Sequence, residues 1–283
     1  MVGVDTDQGR HRPRHKFSIF AYKCHLMSSI LFEIKNNVAY ITLNRPEKFN
    51  SFNREMALLL QQHLDDCMAD EVRCVYITGT GKAFSAGQDI SELVGENKIE
   101  IKQILSEHYN PVVTRIRNLA KPVVAAVNDV AAGAGANIAL CCDVVVAAES
   151  ASFIQAFSKI GLIPDSGGTF TLPRLIGWQK ASALMMTGDK LSAADAEKMG
   201  MIYKTFTNDS FEEESKKIAI TLSQMPTKGL AYTKHALNQS FQNSWEEQLQ
   251  LEDEYQQKAA ITADYAEGIN AFLEKRAPTF KGE

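Results

Sequence analysis

The 283-residue sequence contains no apolar run approaching the roughly 20 residues that cross a bilayer. Its first residues carry arginine and histidine where a signal peptide needs an apolar centre. No membrane association is expected, and the cytoplasm is the expected compartment. Cysteine is sparse and unpatterned: Cys24, Cys67, Cys74, Cys141 and Cys142 are odd in number and lack CxxC spacing, so neither a disulfide framework nor a zinc site is indicated. Three of the six histidines (His11, His15 and His25) lie near the start with no acidic or cysteine partner at ligand spacing, and no metal site is expected. The formal net charge is only −4. Residues 1–27 carry five basic against two acidic side chains, a surplus of +3 that leaves −7 for residues 28–283. A mildly acidic body argues against nucleic acid as a partner.

What is present suits an α/β protein with a sizeable core. Residues 1–27 read as a disordered leader or extension. Ile30–Ile34 and Val38–Leu43 flank Lys35-Asn36-Asn37 in the pattern of a β-hairpin. Ser51 and Asn53 offer N-caps to a helix with Met56, Leu59, Leu60, Leu64 and Cys67 on its apolar side. Val72–Thr78 reads as a strand leading into Gly79-Thr80-Gly81, followed by a loop over Lys82–Asp89 and helix from Ile90. Residues 99–119 read as helix with a break or kink at Pro111. Val123–Val127 has the length of a buried strand, Val144–Ala148 and Ser152–Ile154 are further strands, and from Ser192 the pattern turns helical with polar faces. No internal repeat appears.

Three segments could carry chemistry. Gly161-Leu162-Ile163-Pro164-Asp165-Ser166-Gly167-Gly168-Thr169 places one carboxylate, Asp165, between an apolar run and a glycine pair. Ala83-Phe84-Ser85-Ala86-Gly87-Gln88-Asp89 and Ala131–Asn137 are small-residue turns at the ends of apolar strands, suited to presenting backbone N–H groups and to close approach of a ligand. Two such donors on one oxygen make an oxyanion hole. Cys141 and Cys142 have no adjacent histidine and read as packing residues.

Together with Leu43-Asn44-Arg45-Pro46, Asn50 and Lys121-Pro122-Val123-Val124-Ala125-Ala126-Val127-Asn128, these segments resemble, in order over residues 30–283, the crotonase (enoyl-CoA hydratase/isomerase) superfamily. The resemblance implies a crotonase (ClpP/crotonase-like) α/β fold of repeated ββα units over residues 28–200. It also implies a C-terminal helical oligomerisation domain over 201–283, driving assembly as a homotrimer or dimer of trimers. It implies an acyl-CoA thioester substrate and no separate cofactor, coenzyme A being part of the substrate. The backbone N–H groups of Gln88 and Ala134 would be the oxyanion donors. Ala86, Asp89 and Gly133 would join the substrate site, and Tyr109 and Asn110 would line the acyl pocket. Arg45, Lys48 and Lys82 would meet coenzyme A, and Lys275 would reach a neighbouring subunit's ligand.

The family's hydratases hold water between two glutamates, and the aligned positions here are Asn137 and Phe157. Neither exchanges a proton. Asp165 remains, suited to a 1,3-proton shift, with Leu162, Ile163 and Pro164 raising its pKa by desolvation. Phe157-Ser158-Lys159-Ile160-Gly161-Leu162-Ile163-Pro164-Asp165 and Tyr109-Asn110-Pro111-Val112 resemble the family branch that opens a ring-1,2-epoxyphenylacetyl-CoA to its oxepin and shifts 3-enoyl-CoA double bonds. An isomerase is the expected activity. Two other readings stay open: a hydratase or acyl-CoA hydrolase in which Asp165 activates water, and a non-catalytic CoA-binding interaction module.

Overall fold

The computed structural model describes residues 28–96 and 98–283, so the expected leader lies outside the described residues. Strands β1 (Ile30–Lys35) and β2 (Val38–Leu43) form the expected hairpin. Its two-residue turn is Asn36-Asn37, at φ +53° and +60°, the left-handed conformation such a turn demands and that asparagine tolerates. Asn53 rather than Ser51 caps helix α1 (Arg54–Asp66), accepting from Met56 N at 3.0 Å. The helix buries Met56, Ala57, Leu60 and Leu64.

Strands β3 (Cys74–Gly79) and β4 (Ala83–Ser85) follow, so the expected Lys82–Asp89 loop contains a short strand. The helix expected from Ile90 is a single 3-10 turn, Ile90–Leu93. Beyond a short turn at Ile101–Gln103, a π-helical stretch Ile104–Tyr109 runs into helix α2 (Asn110–Asn118). The break expected at Pro111 is absent. Asn110 N–H reaches back five residues to Leu105 O, and Pro111, which has no N–H to satisfy, falls where the ladder returns to α spacing.

The central segments repeat one theme. Strands β5 (Val123–Val127) and β6 (Val130–Ala132) lead into helix α3 (Ala134–Leu140), and strands β7 (Val144–Ala148) and β8 (Ser152–Ile154) lead through a 3-10 turn, Ala156–Ile160, to helix α4 (Gly168–Ile176). In each pair, as in β3 and β4, the first strand enters a six-stranded sheet of order β1-β2-β3-β5-β7-β10 and the second enters a four-stranded sheet. The smaller sheet has the order β4-β6-β8-β9, with β4, β6 and β8 parallel. This is the ββα repetition that the resemblance implied. Every residue of β5 is buried, as expected of a parallel strand covered on both faces.

The remaining elements are α5 (Trp178–Thr187), β9 (Lys190–Ser192), α6 (Ala193–Lys198), β10 (Lys204–Phe206), α7 (Asn208–Ser223), α8 (Thr227–Gln239), α9 (Trp245–Ala260) and α10 (Ala263–Leu273). Packing does not stop at residue 200. β10 is the edge strand beside β7, and α7 lies on β3, β5 and β7, with Tyr76 and Ser215 hydroxyls 2.8 Å apart. Helix α8 is anchored by buried Lys234, whose Nζ is 2.7 Å from Asp143 Oδ2 and donates to the carbonyls of Ile116 (2.7 Å) and Lys121 (3.1 Å). No described helix is long and apolar enough to cross a membrane.

Candidate active site

Three neighbouring parallel strands, β4, β6 and β8, end beside one another, and each hands its chain to one wall of a cavity of about 490 Å³. The cavity is where the first and second small-residue turns and the Asp165 segment meet.

After β4, the turn Ala86-Gly87-Gln88 is pinned to the preceding chain. Phe52 N donates to Gly87 O at 2.7 Å and Asp89 N to Phe52 O at 2.8 Å. Buried Asn50 holds the strand itself, its Nδ2 donating to Ala83 O at 2.7 Å and Thr80 O at 2.9 Å. Gly87 has φ +87°, and a Cβ there would lie 2.9 Å from Ala132 O and 3.3 Å from Ala134 N. Only glycine lets this turn close onto the next one.

After β6, Gly133 takes φ +53° and ψ −128°, open only to glycine, and α3 begins at Ala134. A Cβ on Gly135 would sit 2.6 Å from the side chain and carbonyl of Ser85. The expected close approach is therefore of two kinds: Gly133 faces the cavity, and Gly135 seats α3 against β4. Among the described residues the N–H groups of Gln88 and Ala134 have no acceptor. They remain available to a ligand oxygen.

After β8, the chain passes through Phe157 and the irregular run Leu162–Pro164 to Asp165. Burial raises the Asp165 pKa above the ordinary aspartate value, opposed by hydrogen bonds from the Ser166 hydroxyl, at 2.9 Å, and from its own N–H. Among the described residues, Asp165 is the only carboxylate lining the cavity. Tyr109 is buried and donates to Gln88 Oε1 at 2.7 Å, while Gln88 Nε2 donates to Glu92 Oε2 at 3.0 Å. Burial, and then the charge of Asp165, hold the Tyr109 phenol well above its usual pKa, so it stays protonated.

Ala86, Gln88, Tyr109, Asn110, Gly133, Ala134 and Asp165 thus come together around one cavity. Arg45 and Asp89 do not. They pair with each other at 2.9 Å, and Arg45 also donates to Ser51 O at 2.6 Å. Burial raises the Asp89 pKa, but hydrogen bonds from Ser91 and Arg45 outweigh it and leave the carboxylate low. This ion pair fastens the first turn to the Arg45 segment. Lys48, Lys82 and Lys275 are exposed and do not line the cavity.

The structure adds Lys159, on the cavity edge, and an apolar wall of Ile90, Leu93, Ile101, Ile104 and Leu105. In the sequence that wall carries only the helical spacing of a core-facing stripe. Cys141 and Cys142 are buried, and burial raises both thiols, in keeping with packing residues. Among the described residues no cluster of three or more His, Cys, Asp or Glu side chains could hold a metal ion.

The sequence model of the enoyl-CoA hydratase/isomerase family matches residues 33–283. The chain belongs to the enoyl-CoA hydratase/isomerase family. Among its relatives is 1,2-epoxyphenylacetyl-CoA isomerase of Escherichia coli (strain K12), 43% identical over 91% of this chain and 100% of that protein. A probable enoyl-CoA hydratase of Rhodobacter capsulatus is 41% identical over 90% of this chain and 98% of its own length. The solved structure of an enoyl-CoA hydratase from Bacillus anthracis superimposes with a TM-score of 0.86 at 33% identity, covering 90% of this chain and all of that one. Asn137 is a buried amide that does not line the cavity, and Phe157 is part of its apolar wall.

Proposed function

We propose that this family member is an acyl-CoA isomerase that moves a proton through a thioester enolate, with Asp165 as the proton carrier. One observation carries the reading: among the described residues Asp165 is the only carboxylate facing a cavity onto which the free N–H groups of Gln88 and Ala134 also open.

With a 3-enoyl-CoA, the thioester oxygen accepts from the two N–H groups. The Asp165 carboxylate takes a proton from C2, and the electron pair delocalises into a dienolate whose oxygen the two donors stabilise. The protonated carboxyl then gives its proton to C4, leaving the double bond between C2 and C3. No atom is gained or lost, and one group serves as base and then acid. The raised pKa of Asp165 suits both roles. The same donors and carboxylate fit the conversion of ring-1,2-epoxyphenylacetyl-CoA to its oxepin, the substrate class named for the Escherichia coli relative.

Coenzyme A enters as part of the substrate, with no separate cofactor. Lys159 on the cavity edge, with exposed Lys48 and Lys82, supplies cations for its phosphates. The trimer implied by the resemblance is supported by apolar side chains left exposed on the C-terminal helices, among them Trp245, Ile261, Phe272 and Leu273. In such an assembly Lys275 reaches a neighbour's ligand. Four buried free cysteines suit a reducing cytoplasm.

The test is incubation with trans-3-hexenoyl-CoA and trans-2-hexenoyl-CoA in ¹⁸O-labelled water. Migration of the double bond without label in the acyl chain is expected. Dominant water addition to the 2-enoyl substrate, or release of a labelled carboxylic acid, would replace the isomerase reading with a hydratase or hydrolase. Binding without turnover of any of these thioesters, or of the ring epoxide, would leave an interaction module.

A further inference from the structure

We propose that Asn137 is a positioning residue that fixes the Asp165 carboxylate in the cavity by clamping its backbone. The inference rests on Asp165 being the proton carrier. Asn137 lies on α3, is 1% exposed, and does not line the cavity. Its Nδ2 donates to Asp165 O at 2.9 Å, and its Oδ1 accepts from Gln155 Nε2 at 2.8 Å.

The direction of this chain of amides is forced. A backbone carbonyl can only accept, so Asn137 must turn its NH₂ toward Asp165, and its oxygen then faces Gln155, which must present its own NH₂. The consequence is visible at the far end: Gln155 Oε1 is buried without a partner among the described residues. A buried orphan acceptor is tolerated where the remaining bonds of the network are needed.

The clamp meets the chain where it most needs holding. Gly168 N donates to the same Asp165 carbonyl at 2.8 Å, so that oxygen is fixed from within the turn and from α3. Ser166, a non-glycine residue, sits at φ +51° and is followed by Gly167 at +76°. Such a conformation persists when its surroundings over-determine it. A Cβ on Gly168 would lie 2.3 Å from Asn137 Nδ2, so the glycine opens the space in which the amide approaches. The Ser166 hydroxyl steadies the carboxylate itself. Asn137 therefore governs where the carboxylate points and how well water is kept from it, without touching substrate.

The test compares wild type, N137A, D165N and the double variant on trans-3-hexenoyl-CoA, each confirmed folded by thermal unfolding. N137A is expected to lower kcat about 10–100-fold, the scale of misplacing a reacting group by an ångström, with KM changed less than about twofold. The acid limb of its pH–rate profile should move toward the ordinary aspartate value as water reaches Asp165. In the D165N background the same substitution should cost nothing further, because the two act as one unit. A folded N137A with wild-type kcat and an unmoved acid limb overturns the proposal, as does a full multiplicative loss in the double variant. Should N137A fail to fold, Gln155→Leu, which frees the Asn137 amide, must show the same acid-limb shift, and its absence overturns the proposal equally. Full activity in D165N would instead overturn the isomerase assignment to Asp165, whereas an inactive D165N beside an unaffected N137A sinks only the clamp.

Discussion

Asp165→Asn separates chemistry from packing better than any other single change. Asparagine keeps the size of the side chain, and its Oδ1 can still accept from the Ser166 hydroxyl that now reaches Asp165 at 2.9 Å. It cannot take up a proton. Among the described residues no second carboxylate lines the cavity to stand in, and Asp89, the nearest acid in sequence to the donor turn, is held by Arg45 and Ser91. Positioned acid–base groups contribute about 10²–10⁴ in rate, so kcat for double-bond migration should fall by that factor with KM little changed.

The same substitution should raise stability. Burial raises the folded pKa of Asp165 above its unfolded value, so the native state favours the protonated carboxyl and is penalised by the ionised one. That penalty is absent below the unfolded pKa of about 3.9, grows as pH rises, and is complete above the folded pKa. The variant should therefore be more stable than wild type at pH 7, on the order of 0.5–2 kcal/mol, and the difference should vanish as pH falls to 4 and below. Turnover of a 3-enoyl-CoA followed spectroscopically, with urea denaturation at pH 7 and pH 4, measures both. For the wild type, kcat/KM should fall with an acid limb lying above the ordinary aspartate value. A kcat within about threefold of wild type, together with unchanged stability at pH 7, would refute both the role and the burial argument.

Two further substitutions probe the frame. Ala134→Pro deletes one free N–H at the first position of a helix, where proline is otherwise tolerated; kcat should drop about 10²–10³-fold while A134S stays near wild type, and equal activity of the two would remove Ala134 from the oxyanion site. Lys234→Met removes a buried cation from the partly exposed Asp143 carboxylate and leaves the carbonyls of Ile116 and Lys121 without their donor, which should cost about 1–3 kcal/mol in chemical denaturation. The double variant with Asp143→Asn should recover part of that loss, and a cost below about 1 kcal/mol for K234M alone would show that the ion pair does not anchor α8.

Legibility in the sequence followed element length and residue chemistry. The hairpin was readable because Asn36-Asn37 marks a turn between two six-residue strands, and β5 because its apolar run is unbroken. Strands β4, β6, β9 and β10 were not, since three residues carry little period, although β8, equally short, was. Helices α4 and α5 were passed over because Gly167-Gly168 and Pro173 signal a turn, while the structure places a helix start at Gly168 and accommodates Pro173 within α4. The cavity wall of Ile101, Ile104 and Leu105 has the spacing of an ordinary core stripe, and nothing local says that it faces a void.

By itself the sequence determined which residue types stand where: an acid next to a glycine pair, two small-residue turns after apolar strands, and no proton-exchanging group at positions 137 and 157. Those are properties of residue type, and residue type is what a sequence holds. Tertiary structure decided which of the candidates share a space. It brought the ends of β4, β6 and β8 together through the parallel pairing of the smaller sheet, paired Arg45 with Asp89, and set Lys159 on the cavity edge. Side-chain partners and cavity walls arise from contacts between segments distant in the chain, and no local pattern encodes those. Asn137 shows both halves: the sequence excluded it as an acid, and only the fold revealed that its amide holds Asp165.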